Sequence, residues 1–177
     1  MQIQVRDERT GDIAAVRNLH ELAFGQSQEA DIVDELRRKG AVMLSLVAIA
    51  HGKIVGHIMY SPATIDETIE GAALSPLIEG AALGPMAVLP QYQRKGIGSM
   101  LVEAGNARLE ASRCPYIIVL GHAAFYPRFG FQPAKGRGIT CQWEVPDDAF
   151  MLLVLDEARM AGVSGLARYR QEFSSVS

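Results

Sequence analysis

The stretch that offers most to chemistry is Gln93-Arg94-Lys95-Gly96-Ile97-Gly98-Ser99. It follows the apolar run Met86-Ala87-Val88-Leu89 and precedes Met100, Leu101 and Ala104 at helical spacing. Where a strand hands over to a helix, the first backbone N–H groups of the helix have no internal partner, and the helix dipole adds partial positive charge there. Gly96 and Gly98 remove the side chains that would keep an oxyanion from those donors, while Arg94 and Lys95 place positive charge at the rim. The same residues also suit a plain tight turn. Two nucleotide-binding patterns fail on them. Lys95 precedes its glycine, whereas a Walker loop needs Gly-Lys-Ser/Thr. Leu101 stands where a dinucleotide fingerprint needs its third glycine.

These residues must be positioned by regular elements, and hydrophobic periodicity outlines them. Ile3 and Val5 alternate as in a short strand. Thr10 and Asp12 open a helix carried by Ile13, Val16, Leu19 and Ala23, and a second helix opens at Ser27 and ends at Arg37–Lys39, before Gly40, with acids first and bases last. Ser45–His51 and Ile54–Ile65 read as a hairpin around Gly52-Lys53. The stretch 67–82 reads as a strand–loop–strand connection. Leu83–Leu89 is then a strand, Arg94–Ser112 a helix, Tyr116–Leu120 a fully apolar strand, and Ala123–Arg128 a helical turn. Ala149–Leu155 is a last buried strand, and the tail from Ser164 is expected to fray or cover an edge. The order predicts an α/β mixed sheet with helices on its faces, in a single domain over residues 1–177.

Composition narrows the classes of function. Nearly half of the 177 residues are hydrophobic (49%) and 21% are charged, which is globular rather than disordered. A net charge of −3 supplies no global basic field, so nucleic acid is not expected as partner. No apolar run reaches the length of a membrane span, and the N-terminus lacks the order of a signal peptide. Cys114 and Cys141 form no metal-ligand cluster, so no metal is expected, and isolated thiols suit a cytoplasmic protein.

Two segments in order resemble one family. MAVLPQYQRKGIGSMLVEAG resembles the acetyl-CoA-binding motif of the GNAT superfamily of N-acetyltransferases, an apolar strand with Val-x-Pro followed by Gln/Arg-x-x-Gly-x-Gly/Ala at a helix start. Downstream, FYPRFGF resembles the family's Tyr-x-x-x-Gly-Phe segment. GHIMYSP and LGHAAFYPRFGFQPA are similar to its YhbS-like branch. The resemblance implies a central, twisted, mostly antiparallel sheet, splayed near the coenzyme and flanked by helices. It implies acetyl-CoA as co-substrate, with the pyrophosphate held by main-chain groups of Gln93, Arg94, Lys95, Gly96, Ile97, Gly98 and Ser99. Met86, Ala87 and Val88 would bond the pantetheine arm, and the Met86 N–H would face the thioester carbonyl, where developing negative charge needs a donor. Tyr126 would also touch the coenzyme and act as general acid toward the departing sulfur. The implied reaction is direct attack on the acetyl group by the primary amine of a small molecule, peptide or protein.

An ammonium acceptor must first lose a proton, and His57 is one candidate base, with a histidine packed in the sheet as the alternative. Glu79, His122, Glu29 and Glu35 are further candidates; the glutamates read first as solvated charges, and His122 reads equally as a capping residue. The asparagine that many family members carry before the tyrosine is absent from GHAAFY. The competing class of function is a non-catalytic acyl-CoA-binding or regulatory module on the same fold. A homodimer is compatible with either class. Trp143 reads as a packing aromatic, and Cys114 shows no activating neighbour.

Overall fold

The structure is a computed structural model and describes residues 1–67 and 77–174. The strands are β1 (Ile3–Asp7), β2 (Leu44–Ala50), β3 (Lys53–Glu67), β4 (Leu77–Val88), β5 (Tyr116–Leu120), β6 (Gln132–Pro133), β7 (Ile139–Cys141), β8 (Phe150–Val154) and β9 (Gly165–Arg168). The helices are α1 (Ile13–Phe24), α2 (Gln28–Arg38), α3 (Ile97–Ala111) and a single turn, α4 (Glu157–Met160). The strands form one mixed, open sheet in the order β1-β2-β3-β4-β5-β8-β6, with β9 pairing with β3 and β7. The chain divides into two compact units, one of Met1–Ser61, Gly84–Arg108 and the residues from Gln171, the other of Pro62–Leu83 and Leu109–Arg170.

In the first unit, alternation along β3 assigns a helix to each sheet face. Successive side chains of a strand point to opposite sides. His57 bonds His20 of α1, and Met59, on the same face, joins Val16, Ile32, Val33, Leu36 and Val47 in the core beneath α1 and α2. The intervening residues face α3: a methyl at Gly56 would meet Ile97 and Leu101 side chains at 3.0 Å, and the Tyr60 hydroxyl donates to Asn106 Oδ1 at 3.0 Å. Burial of Leu101 and Ile97, each at most 1% exposed, contributes roughly 1.5–3 kcal/mol apiece.

In the second unit, β4 runs parallel to β5, with Ala81–Leu83 beside Ile117–Val119. That register stops at Leu83↔Val119. Gly84 and Pro85 come next, and Pro85 has no N–H to continue a ladder. On its other side β5 pairs antiparallel with β8, ending at Leu120↔Phe150. Ile139–Cys141 of β7 lie parallel to Gly165–Ala167 of β9.

Several expected boundaries move. The strand expected from Leu83 begins six residues earlier, at Leu77, because Gly80 accommodates the Tyr116 ring rather than breaking the strand; a Cβ there would lie 2.5 Å from it. The tail expected to fray or cover an edge instead enters the sheet as β9, bonded to β3 and β7. Helix α3 starts at Ile97, not Arg94, because Arg94 (φ 59°) and Gly96 (φ 82°) are left-handed and cannot continue a right-handed helix. Most of the connection expected over 67–82 lies outside the described residues.

Candidate functional site

The glycine-rich turn is built from both of its ends. The Leu89 N–H donates to Val55 O at 2.9 Å, which ties the end of β4 to β3. Pro90–Tyr92 form a 3₁₀ turn, and the Gln93 side chain donates back to Val88 O at 3.0 Å. Gln93 therefore shapes the loop with its side chain. Gly96 adopts its left-handed conformation with nothing within 4 Å of where a Cβ would stand, and the first helical bond is Met100 N–H to Gly96 O at 3.0 Å. By helix geometry the N–H groups of Ile97, Gly98 and Ser99 precede that bond and lack intrahelical acceptors. The first turn of α3 carries no acidic residue. Arg94, Lys95 and Gly96 are exposed, and Ile97 is buried as the anchor on the sheet. The Lys95 ammonium lies 5.3 Å from the centre of the Tyr92 ring. Open donors, a dipole and two cations without a neutralising acid in that turn are what a diphosphate requires, so the residues fit the coenzyme. Upstream on β4, Met86 and Val88 are half-buried and Ala87 is buried.

Tyr126 belongs to the second unit and starts a 3₁₀ turn, Tyr126–Phe129. Its ring rests on the backbone of Gly121, where a Cβ would lie 2.4 Å from Cε2, so this approach requires glycine. Phe125 and Phe131 pack edge-on at 5.0 and 5.6 Å. Burial leaves the residue 6% exposed and pushes its hydroxyl up to about 12, so it holds its proton at neutral pH. Tyr169, two residues beyond the β7/β9 pairing, brings its buried hydroxyl beside the Leu120 backbone, within electrostatic reach of Tyr126 and Cys141. Both tyrosines therefore converge on the end of β5. Sequence periodicity did not single out Tyr169, because β7 and β9 are too short to show alternation.

His57 is placed in the interior and has no exposed surface. Its Nδ1 is 2.8 Å from His20 Nε2 and its Nε2 is 2.9 Å from Ser45 Oγ, with the Glu8 carboxylate 3.5 Å away. Both ring nitrogens are thus occupied within the first unit, and direct contact with an acceptor amine is closed to it. Ser45 and Arg37 both bond Glu8, and Arg37 also bonds Asp34 at 2.7 Å. Burial pushes the Glu8 carboxylate up, but the bonds from His57 and Ser45 and the charge of Arg37 outweigh it and hold the group at about 2. Burial, reinforced by nearby positive charge, lowers His20 to about 3; burial likewise lowers His57 against the opposing pull of Glu8. Glu8 and His20 escaped the sequence reading because the contacts joining them to His57 span 49 and 37 positions of chain.

The other candidate bases are scattered. Glu79 is exposed on β4, Glu29 bonds Gln26, and Glu35 pairs with Arg38 at 2.6 Å. The His122 side chain is exposed, and its carbonyl accepts from Phe125 and Tyr126. Among the described residues no group of His, Cys, Asp and Glu could hold a metal ion, and no helix is long and apolar enough to cross a membrane.

Comparison with known proteins agrees with this geometry. Residues 43–133 match the model of the acetyltransferase (GNAT) domain. The chain is 39% identical to YjhQ of Escherichia coli K12, described as an uncharacterized N-acetyltransferase, over 77% of this chain and 74% of that protein. Its fold is similar to that of the E. coli GNAT family N-acetyltransferase YhbS, solved in complex with CoA, with a TM-score of 0.88 at 27% identity, covering 98% of this chain and 93% of that one. It is also similar to a GNAT family acetyltransferase from Brucella melitensis, solved in complex with acetyl-CoA, with a TM-score of 0.76 at 31% identity, covering 97% and 98% of the two chains. The mixed sheet with helices on both faces is the GNAT fold, and the chain belongs to the GNAT family of N-acetyltransferases.

Proposed function

We propose that the protein transfers an acetyl group from acetyl-CoA to a primary amine by direct attack within a ternary complex. The observation that carries this reading is the turn Gln93–Ser99, whose left-handed Gly96 opens the N-terminus of α3 next to Arg94 and Lys95. Complexes of the E. coli and Brucella proteins with CoA and acetyl-CoA support the same ligand here. The coenzyme supplies the activated acetyl thioester. The backbone of Arg94–Ser99 binds its diphosphate, and Met86–Val88 offer main-chain groups to the pantetheine arm. The Met86 N–H donates to the thioester carbonyl oxygen as negative charge builds there. Tyr126, protonated at neutral pH, gives its proton to the departing thiolate. With His57 sealed in the interior, the amine loses its proton to solvent-connected groups rather than directly to that imidazole.

The test is an acceptor screen with acetyl-CoA that reads free thiol, run beside calorimetry with coenzyme A. Amine-dependent thiol release supports the transferase. Coenzyme binding without release across a broad panel would contradict it and favour a non-catalytic acyl-CoA-binding module.

A further inference from the structure

The second unit contains a cavity of about 270 Å³. Ile139, Cys141, Trp143, Val145, Pro146 and Phe150 form the apolar part of its wall, and four polar residues complete the lining. Three connections lead from it to the end of β5. Phe150 is the cross-strand partner of Leu120. The Gly121 N–H donates to Ala149 O at 2.9 Å, and Gly121 is the residue on which the Tyr126 ring rests. Trp143 packs on Tyr169 with ring centres 5.0 Å apart, an arrangement set by the parallel pairing of Cys141 with Ala167 two residues earlier on each strand. At the rim, Lys135 and Asp147 neutralise one another at 2.6 Å. Glu144, also lining the cavity, is exposed and has no ion pair among the described residues.

We propose that this cavity is the acceptor subsite and that it takes the apolar body, aliphatic or aromatic, of a singly charged primary amine. The inference rests on the acetyltransferase reading, in which Tyr126 marks the reacting end. Apolar walls favour a hydrocarbon group over a hydroxylated or polycationic one, because buried polar atoms without partners are costly. The one uncompensated carboxylate, Glu144, matches an acceptor that arrives with a single positive charge. That acceptor class is an arylalkyl or branched alkyl amine, or a peptide amine beside a hydrophobic side chain. A polyamine or an aminated sugar does not fit it.

Trp143 is the chain's only tryptophan, so its fluorescence reports occupancy of the cavity without any need for turnover. Titration with 2-phenylethylamine is expected to give a saturable change at concentrations about tenfold or more below those needed for ethanolamine, the discrimination a hydrophobic pocket supplies. Val145→Asp introduces a charge into the wall. Thr140→Tyr fills the space from an exposed position, which spares the core should the first variant misfold. Each is expected to weaken 2-phenylethylamine binding about tenfold or more and to raise its KM in the thiol-release assay while the KM for acetyl-CoA stays within about twofold. Equal response to the two amines, or undiminished binding in folded Val145→Asp and Thr140→Tyr, would overturn the subsite. A fluorescence response that behaves as expected, with thiol released by no amine, would leave the cavity as an amine site and instead overturn the transferase reading.

Discussion

Acidification between pH 7 and 5 should destabilise this protein strongly, because two imidazoles are buried in a form that resists protonation. His20 and His57 have no exposed surface, and their rings bond each other at 2.8 Å. Burial lowers His20 to about 3 and lowers His57 as well, whereas an unfolded histidine titrates near ~6.5. Below that value the unfolded chain binds protons that the folded chain refuses. Stability is therefore fully present above the unfolded value and is lost as pH falls. Integration from pH 7 to 5 gives about 2 kcal/mol for His20, which stays neutral across that window; His57, lowered by its burial, acts in the same direction. Glu8, held at about 2, acts in the same direction but only below its unfolded value near ~4.3, so the window above pH 5 isolates the histidines. Urea unfolding at pH 7, 6 and 5 measures the loss, and His20→Leu should remove about 2 kcal/mol of the difference between pH 7 and 5. Equal stability at pH 7 and 5, or an unchanged slope in folded His20→Leu, would show that the buried imidazoles do not couple folding to protonation.

Three further outcomes follow from the site. Tyr126→Phe should lower turnover by about 10²-fold or more, the usual contribution of a positioned acid, while coenzyme affinity measured by calorimetry stays unchanged; full activity would remove the acid role. Gly121→Ala places a methyl 2.4 Å from the Tyr126 ring. It should destabilise the fold by about 1–3 kcal/mol in thermal unfolding and reduce turnover with it. Coenzyme affinity should fall as salt rises from 0.05 to about 0.5 M, because exposed Arg94 and Lys95 act through screened charge; salt-independent affinity would assign binding to other groups.

Much of this was legible in local sequence, and what was not has identifiable causes. α1, α2 and β5 carry long or dense apolar patterns and lie close to where periodicity places them. The glycine turn proposed to bind the coenzyme was legible because its pattern is local: a strand, a helix start and two glycines within a dozen residues. The start of β4 was obscured by Gly80, whose missing side chain answers to Tyr116, a contact 36 positions away. β6, β7 and β9 have two to four residues each, too few for a period to appear. The surroundings of His57 were hidden for the same physical reason as Tyr169: each is defined by side chains that only the sheet brings together. The proposed acceptor end depends on such long-range contacts, whereas the turn proposed to bind the coenzyme does not.

Calorimetric titration of coenzyme A into the protein and into Gly96→Asp tests whether the Gln93–Ser99 turn binds the coenzyme. Gly96 is exposed, with open space at the Cβ position, and its φ of 82° strains any side chain placed there, so the variant both perturbs the turn and puts a negative charge at the mouth of the helix, while circular dichroism confirms the overall fold. Saturable one-to-one binding to the parent protein is expected, with a loss of affinity of about tenfold or more in the variant. Equal affinity in the two proteins, or no binding to the parent, would contradict it.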